Sequence, residues 1–251
     1  MGRGEGRNGR ADRDARSDMR GAGRAGPRAT PSGAPTPVPA EVQVAGLCRA
    51  GLSVALLLAG LGVRTLALWD PLPVAVADLG SGYQPSDLGR PRAQAAERRL
   101  RDVHPSVRVF ADHGPAPRPL GTVTVRVGDQ HDPDLAARAL AADHALLPVL
   151  VDASGVRVGP WTVPGTPGCL LCRTEAAVEA GPSPRPGGGA DVLTAQRAAV
   201  LAVDALRRTT CPEATGGAVM VADVSGRCRT ESVTPRPGCA CSAPDQAEAV
   251  P

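Results

Sequence analysis

The chain has 251 residues, 28 of them basic and 25 acidic, with seven cysteines and only four aromatic side chains. Every basic residue is an arginine, which excludes Schiff-base and P-loop lysine chemistry; so few aromatic rings exclude a binder that stacks single-stranded bases. Residues 1–40 hold eight arginines and four acids, so a net charge of +3 leaves the remainder at −1 and without a pull on nucleic acid.

Residues 1–40 are mainly Gly, Arg, Ala, Pro and Ser, with scarcely a large apolar side chain. Such a segment buries too little surface to offset its ordering entropy, and a disordered tail is expected. Glu5, Asp12, Asp14 and Asp18 speak against a transit peptide, a class poor in acids.

From Glu41 onward short apolar strands alternate with helical patterns. Residues 42–45 read as a strand and 48–60 as a helix. The most apolar stretch, residues 50–63 between Arg49 and Arg64, has fourteen residues. A bilayer needs about 20, so a buried helix is expected, no membrane segment remains, and a cytoplasmic location follows. Residues 64–69 form a second strand that ends at Asp70. Residues 86–103 read as a helix capped by Ser86, with Ala93, Ala96, Leu100 and Val103 at helical spacing. Strands at 107–110 and 122–127, a helix at 132–145 and a strand at 147–151 continue the alternation. Strand–helix alternation implies a parallel sheet covered on both faces, a doubly wound, Rossmann-like α/β fold with its ligand site at the carboxyl ends of the strands.

The later part is looser. Residues 156–158 and 161–163 suggest a hairpin-like extension, 181–189 a flexible loop, 191–208 an amphipathic helix, and 218–224 and 229–233 closing strands. One domain over residues 41–242 is expected, followed by a tail at 243–251.

Cys169-Leu170-Leu171-Cys172 and Cys239-Ala240-Cys241 are the strongest chemical signal. Each pair sits in a Pro/Gly-rich turn that lets two thiolates converge, and two such knuckles supply the four sulfurs of a tetrahedral zinc site. Four protein ligands leave no open position, so the zinc is structural and staples the closing segment to the domain. The alternatives are disulfides, disfavoured without an export signal, inert buried thiols, and a redox CxxC, for which Pro-Gly rather than an evident helix N-terminus precedes Cys169. Of the remaining cysteines, Cys48 reads as a small core residue and Cys228 as bland. Cys211, after Arg207 and Arg208, is the best nucleophile candidate.

Gly46-Leu47-Cys48-Arg49-Ala50-Gly51 follows the first strand and opens the first helix. It has the shape of G-x-G-x-x-G, whose glycines bring backbone close to phosphate, but cysteine stands at the middle glycine. Asp70, at the end of the second strand, is placed to hold ribose hydroxyls; its alternative reading is an ordinary turn residue before Pro71.

The stretch from Val42 to about Val109 resembles the ThiF/MoeB/ubiquitin-activating (E1-like) superfamily. The resemblance rests on the glycine turn, a helix ending in LAGLGV, a strand ending in Asp70, and the run DLGRPRAQAA before a helix that closes near His104-Pro105. VGPWTVPGTPGCLLC and the later CAC resemble the family's zinc-knuckle region, particularly that of actinobacterial ThiF-like proteins, some associated with ribosomally made peptide pathways. The resemblance implies an enzyme that binds ATP and magnesium and adenylates the C-terminal carboxylate of a small protein or peptide, commonly as a homodimer. It implies that Gly46, Gly51, Asp70 and Arg92 contact the nucleotide, that Arg92 replaces the phosphate-contacting lysine, and that Asp129 binds magnesium, with Asp132 next in line.

Several family positions are altered. Cys48 replaces the second glycine, Leu72 and Pro73 stand where a second acid belongs, and Asp78 to Ser81 replaces Asn-x-x-Arg, with an acid where phosphate would be repelled. Two readings follow. One is an adenylyltransferase with a divergent site in which Arg92 and Asp129 carry phosphate and metal. The other is a pseudoenzyme, the same zinc-stapled fold kept as a binding or scaffold partner for an enzyme of peptide or cofactor biosynthesis. A dinucleotide oxidoreductase fits the glycine turn but not the zinc knuckles.

Overall fold

The computed structural model describes residues 38–112, 114–118, 120–177, 190–208 and 217–242. Almost all of the expected N-terminal tail, the 181–189 loop, Cys211, His113 and the end of the chain lie outside these residues.

Strands β1 (Glu41–Ala45), β2 (Thr65–Trp69), β3 (Arg108–Asp112), β4 (Val123–Gly128), β5 (Ala145–Asp152), β6 (Gly155–Val158), β7 (Ala218–Asp223) and β8 (Cys228–Ser232) form one sheet in the order 3-2-1-4-5-6-7-8. β1 pairs parallel with β2 and β4, and β2 with β3 and β4 with β5 are likewise parallel. β5 to β8 then run antiparallel to one another. The chain therefore moves outward from β1 to β3 and returns to place β4 on β1's other side. That reversal opens a crevice at the carboxyl ends of β1 and β4.

Helices α1 (Arg49–Gly60), α2 (Arg92–Val103), α3 (Pro133–Ala141), α4 (Leu170–Ala177) and α5 (Val192–Arg208) cover the sheet. Successive strand residues face opposite sides, and the core divides accordingly. Leu147 joins the large cluster with Val42, Val44, Leu52, Leu58 and the alanines of α5, while Leu146 joins Leu135, Ala136, Ala139 and Leu170. α1 is buried along most of its length, including Leu52, Val54, Ala55 and Leu58, because it is pinned between the sheet and α5. Each such leucine contributes roughly 1.5–3 kcal/mol. No described helix is long and apolar enough to cross a membrane.

Two expectations shift. The helix expected from Ser86 begins at Arg92, since Pro91 withholds an N–H and Gly89 has a φ of +78°. Residues Pro85–Asp87 form a separate 3₁₀ turn, closed by Asp87 Oδ2 accepting from Gln84 N at 2.9 Å. The stretch at 161–163 makes one bridge, Thr162 to Leu146, rather than a strand. α4, by contrast, takes all of the CLLC knuckle after Cys169 into a helix that its Pro/Gly-rich approach did not announce.

Candidate functional site

The turn after β1 brings Gly46 against β4. Gly46 has a φ of +94°, and a Cβ there would lie 1.9 Å from the Val127 carbonyl oxygen and 2.7 Å from an Arg126 guanidinium nitrogen. A Cβ on Gly51 would lie 1.9 Å from the Gly46 carbonyl oxygen. Both glycines are thus required by backbone packing, independently of a ligand. Cys48 stands at the N-cap of α1 without capping through its side chain, and the first turn carries no acid. Burial pushes its thiol up from the ordinary range, which suits a packing residue better than a nucleophile.

Beside this turn lies a buried ion cluster. Asp70 Oδ2 accepts from Leu47 N at 2.6 Å and Oδ1 from Leu72 N at 2.8 Å, so the acid ties β2's end to the glycine turn. Arg92 comes from the start of α2 and points its guanidinium at two carboxylates. Its Nε and one terminal nitrogen each lie 2.8 Å from Asp78 Oδ2, and the other terminal nitrogen lies 3.4 Å from Asp70 Oδ2. Asp78 is fixed in turn by Ala75 N, which donates to Oδ2 at 2.8 Å within a 3₁₀ turn. All three residues are nearly sealed from solvent: Asp70 is 7%, Asp78 3% and Arg92 6% exposed. Burial works against the charged guanidinium, yet the carboxylates outweigh it and raise its pKa. The Tyr83 hydroxyl closes the cluster, donating to the Leu47 carbonyl at 2.8 Å, and burial raises its pKa well above the ordinary value.

Asp70, Asp78 and Arg92 line a crevice of about 190 Å³ at the reversal between β1 and β4. Its other charged lining residues are Arg49, Arg126 and Asp129. Arg49 donates to the carbonyls of Leu79 at 2.6 Å and Ala190 at 2.8 Å. Arg126 folds back onto the Val127 carbonyl, and its Nε lies 3.6 Å from Asp132 Oδ2. Asp129 has a buried Oδ2 without a hydrogen-bond partner. Asp132 caps α3, its Oδ1 accepting from Leu135 N at 2.9 Å.

The structure therefore gathers Gly46, Asp70, Arg92 and Asp129 around one crevice, while Gly51 stays behind the turn as a packing residue. Arg126 escaped the sequence reading. Its signal was a lone charge at the end of an apolar strand, Val-Thr-Val-Arg-Val. His131, two residues after Asp129, is desolvated: burial, then the charges of Arg173 and Arg157, lower its pKa to about 4.

A second site is built from four cysteines. The sulfurs of Cys169, Cys172, Cys239 and Cys241 all lie within 4.8 Å of one another. Cys169 to Cys172 is 4.0 Å, Cys169 to Cys239 is 3.7 Å and Cys172 to Cys241 is 3.6 Å. These separations are far beyond a disulfide bond of about 2.05 Å. They match the edge of a tetrahedron built on metal–sulfur bonds of about 2.3 Å, roughly 3.8 Å. Cys169 and Cys241 are fully buried. Arg236 N donates to Cys172 Sγ at 3.4 Å and helps draw that thiol down to about 7, against the effect of burial. Burial raises Cys169.

Residues 38–137 match the ThiF family. A 67-residue stretch is 34% identical to ubiquitin-activating enzyme E1 1 of Candida albicans (strain WO-1), covering 26% of this chain and 7% of that protein. Among solved structures, E. coli MccB with ATP superposes with a TM-score of 0.65 at 15% identity, over 81% of this chain and 66% of MccB. The microcin C7 biosynthetic enzyme MccB in complex with N-formylated MccA gives 0.66 at 16%, over 81% and 67%. PaaA gives 0.59 at 18%, over 77% and 64%. The chain thus spans a small fraction of the curated relative and about two thirds of these solved chains; at such identities the structural likeness speaks for the fold. A ThiF-family match over residues 38–137, a short stretch similar to an E1 enzyme and a fold shared with MccB thus agree with the resemblance to the ThiF/E1-like superfamily.

Proposed function

We propose that this chain is a non-adenylating member of its superfamily, a zinc-stapled E1-like fold that binds a small protein or peptide, or the enzyme that modifies one. The observation that carries this reading is the state of Arg92. It is the residue that resemblance assigns to phosphate, and it is committed to two buried carboxylates. The rest of the crevice agrees. Its volume of about 190 Å³ falls below the roughly 300 Å³ at which pockets for drug-sized ligands begin, and Asp70 already accepts from two backbone amides and faces Arg92. These residues do not fit ATP with magnesium, and no step is derived through it. A peptide partner is supported by the fold shared with MccB, whose solved complexes include N-formylated MccA.

The four-cysteine cluster fits zinc, held by Cys169, Cys172, Cys239 and Cys241. Its chemistry there is structural: it joins the start of α4 to the segment after β8, and four sulfurs leave no position for a substrate.

One observation favours a second reading, the divergent adenylyltransferase. Asp129 keeps a buried, unpartnered carboxylate oxygen on the crevice wall, where a cation would be welcome. ATP–pyrophosphate exchange, with calorimetric titration of ATP and magnesium into the zinc-loaded chain, separates the two. Absence of exchange and of binding up to millimolar ATP is expected. Micromolar binding that disappears in Arg92→Ala and weakens in Asp70→Ala overturns the proposal.

A further inference from the structure

The crevice is lined by three arginines, Arg49, Arg92 and Arg126, and three aspartates, Asp70, Asp78 and Asp129, so its charged residues cancel. The arginines are not equally held. Arg49 is fixed by the Leu79 and Ala190 carbonyls, and Arg126 by its neighbour's carbonyl and Asp132. Arg92 alone presents two guanidinium nitrogens to a single oxygen, Asp78 Oδ2, with both separations 2.8 Å. Two converging N–H donors are what a guanidinium offers to a phosphate oxygen. Asp78 is not a mobile surface acid that a ligand could push aside. It is 3% exposed and anchored by Ala75 N at 2.8 Å in its own 3₁₀ turn.

We infer that Asp78 is the specificity-determining residue of the crevice: its carboxylate is a resident anion on Arg92 and shuts the crevice to phosphate. The inference rests on the reading that the native chain does not use a nucleotide, and it assigns the reason to one side chain. Cys48 and the small volume restrict what enters, and Asp70 lies 3.4 Å from one Arg92 nitrogen, but Asp78 takes the two converging donors at 2.8 Å and places its charge where they point. Replacing it with asparagine makes the charged lining net positive by one. The asparagine amide oxygen still accepts from Ala75 N, so the turn is retained, and Arg92 keeps its partner Asp70.

The test uses the full zinc-loaded chain and sodium pyrophosphate as the probe, titrated calorimetrically at neutral pH and low ionic strength. The unaltered chain is expected to bind pyrophosphate only weakly. Asp78→Asn should bind it at least about tenfold more tightly, the scale of one charge-assisted hydrogen bond, and Asp78→Asn/Arg92→Met should lose that gain. Asp78→Ser serves the same purpose should the asparagine variant lose its native melting transition. A folded Asp78 variant with no gain, or a gain that survives loss of Arg92, overturns the inference. The preceding reading fails separately: ATP–pyrophosphate exchange by the unaltered chain ends it, while the affinity ratio between Asp78→Asn and the unaltered chain still decides the role of Asp78.

Discussion

Replacing Arg92 by methionine removes the cation from a buried cluster while keeping most of the volume. Asp70 retains its two amide donors, from Leu47 and Leu72, but Asp78 loses both guanidinium contacts and keeps only Ala75 N. The damage therefore concentrates on one carboxylate that is 3% exposed. Removing one member of a buried pair costs about 3–5 kcal/mol, and the remaining amide donors put this case near about 3 kcal/mol. At roughly 2–4 °C per kcal/mol for a chain of this size, the melting temperature should fall by about 6–12 °C. The sign of the pH dependence separates this cause from lost packing. A carboxylate orphaned in the variant's interior takes up a proton more readily than in the unfolded chain, so the variant's deficit should narrow as pH falls from 7 towards about 4. Adding Asp78→Asn to Arg92→Met should recover most of the loss. Urea unfolding at several pH values measures all three effects. A loss below about 1 kcal/mol, or one that stays constant with pH, refutes the claim that Arg92 serves as the cluster's counter-ion.

Three further predictions concern other parts of the molecule. Elemental analysis should find one zinc per chain, lost in Cys239→Ser, and chelation should lower the melting temperature, most readily at low pH where thiolates are protonated; a chain that melts identically with and without metal refutes the staple. Gly46→Ala should lower the urea midpoint more than Gly62→Ala: both have positive φ, a strain of about 1–2 kcal/mol, but only at Gly46 does the new Cβ meet backbone, at 1.9 Å, while Gly62 has nothing within 4 Å. Because the pKa of His131 is lowered to about 4, the unfolded chain binds a proton that the folded chain refuses, so stability should fall from about pH 6.5 towards about 4. His131→Gln should flatten that part of the urea-midpoint profile, and an unchanged profile would sink the assignment.

What the sequence determined by itself was set by local pattern. Alternating apolar strands and helices fixed the doubly wound sheet, because a strand buried on both faces must be apolar throughout and each crossover helix must offer it an apolar side. The cysteine pairs were legible for a similar reason: two residues between Cys169 and Cys172, and one between Cys239 and Cys241, leave little freedom in how the sulfurs converge. Where a single residue dictates backbone, the reading also depended on local rules, and Pro91 and Gly89 overruled the longer helical periodicity. The crevice was different. Asp70, Arg92 and Asp129 could be placed at strand and helix ends, but their partners are set by three-dimensional approach. Whether Arg92 faces a ligand or Asp78 depends on a 3₁₀ turn fourteen residues earlier folding over α2's first turn, and nothing in local sequence fixes that. Arg126 reaches Gly46 across a strand pairing between residues 81 apart in the chain. The sequence by itself thus determined the scaffold and the sulfur cluster; only the tertiary structure decided that Arg92, Asp70 and Asp78 are spent on one another, because electrostatic pairing follows distance in space and not order along the chain.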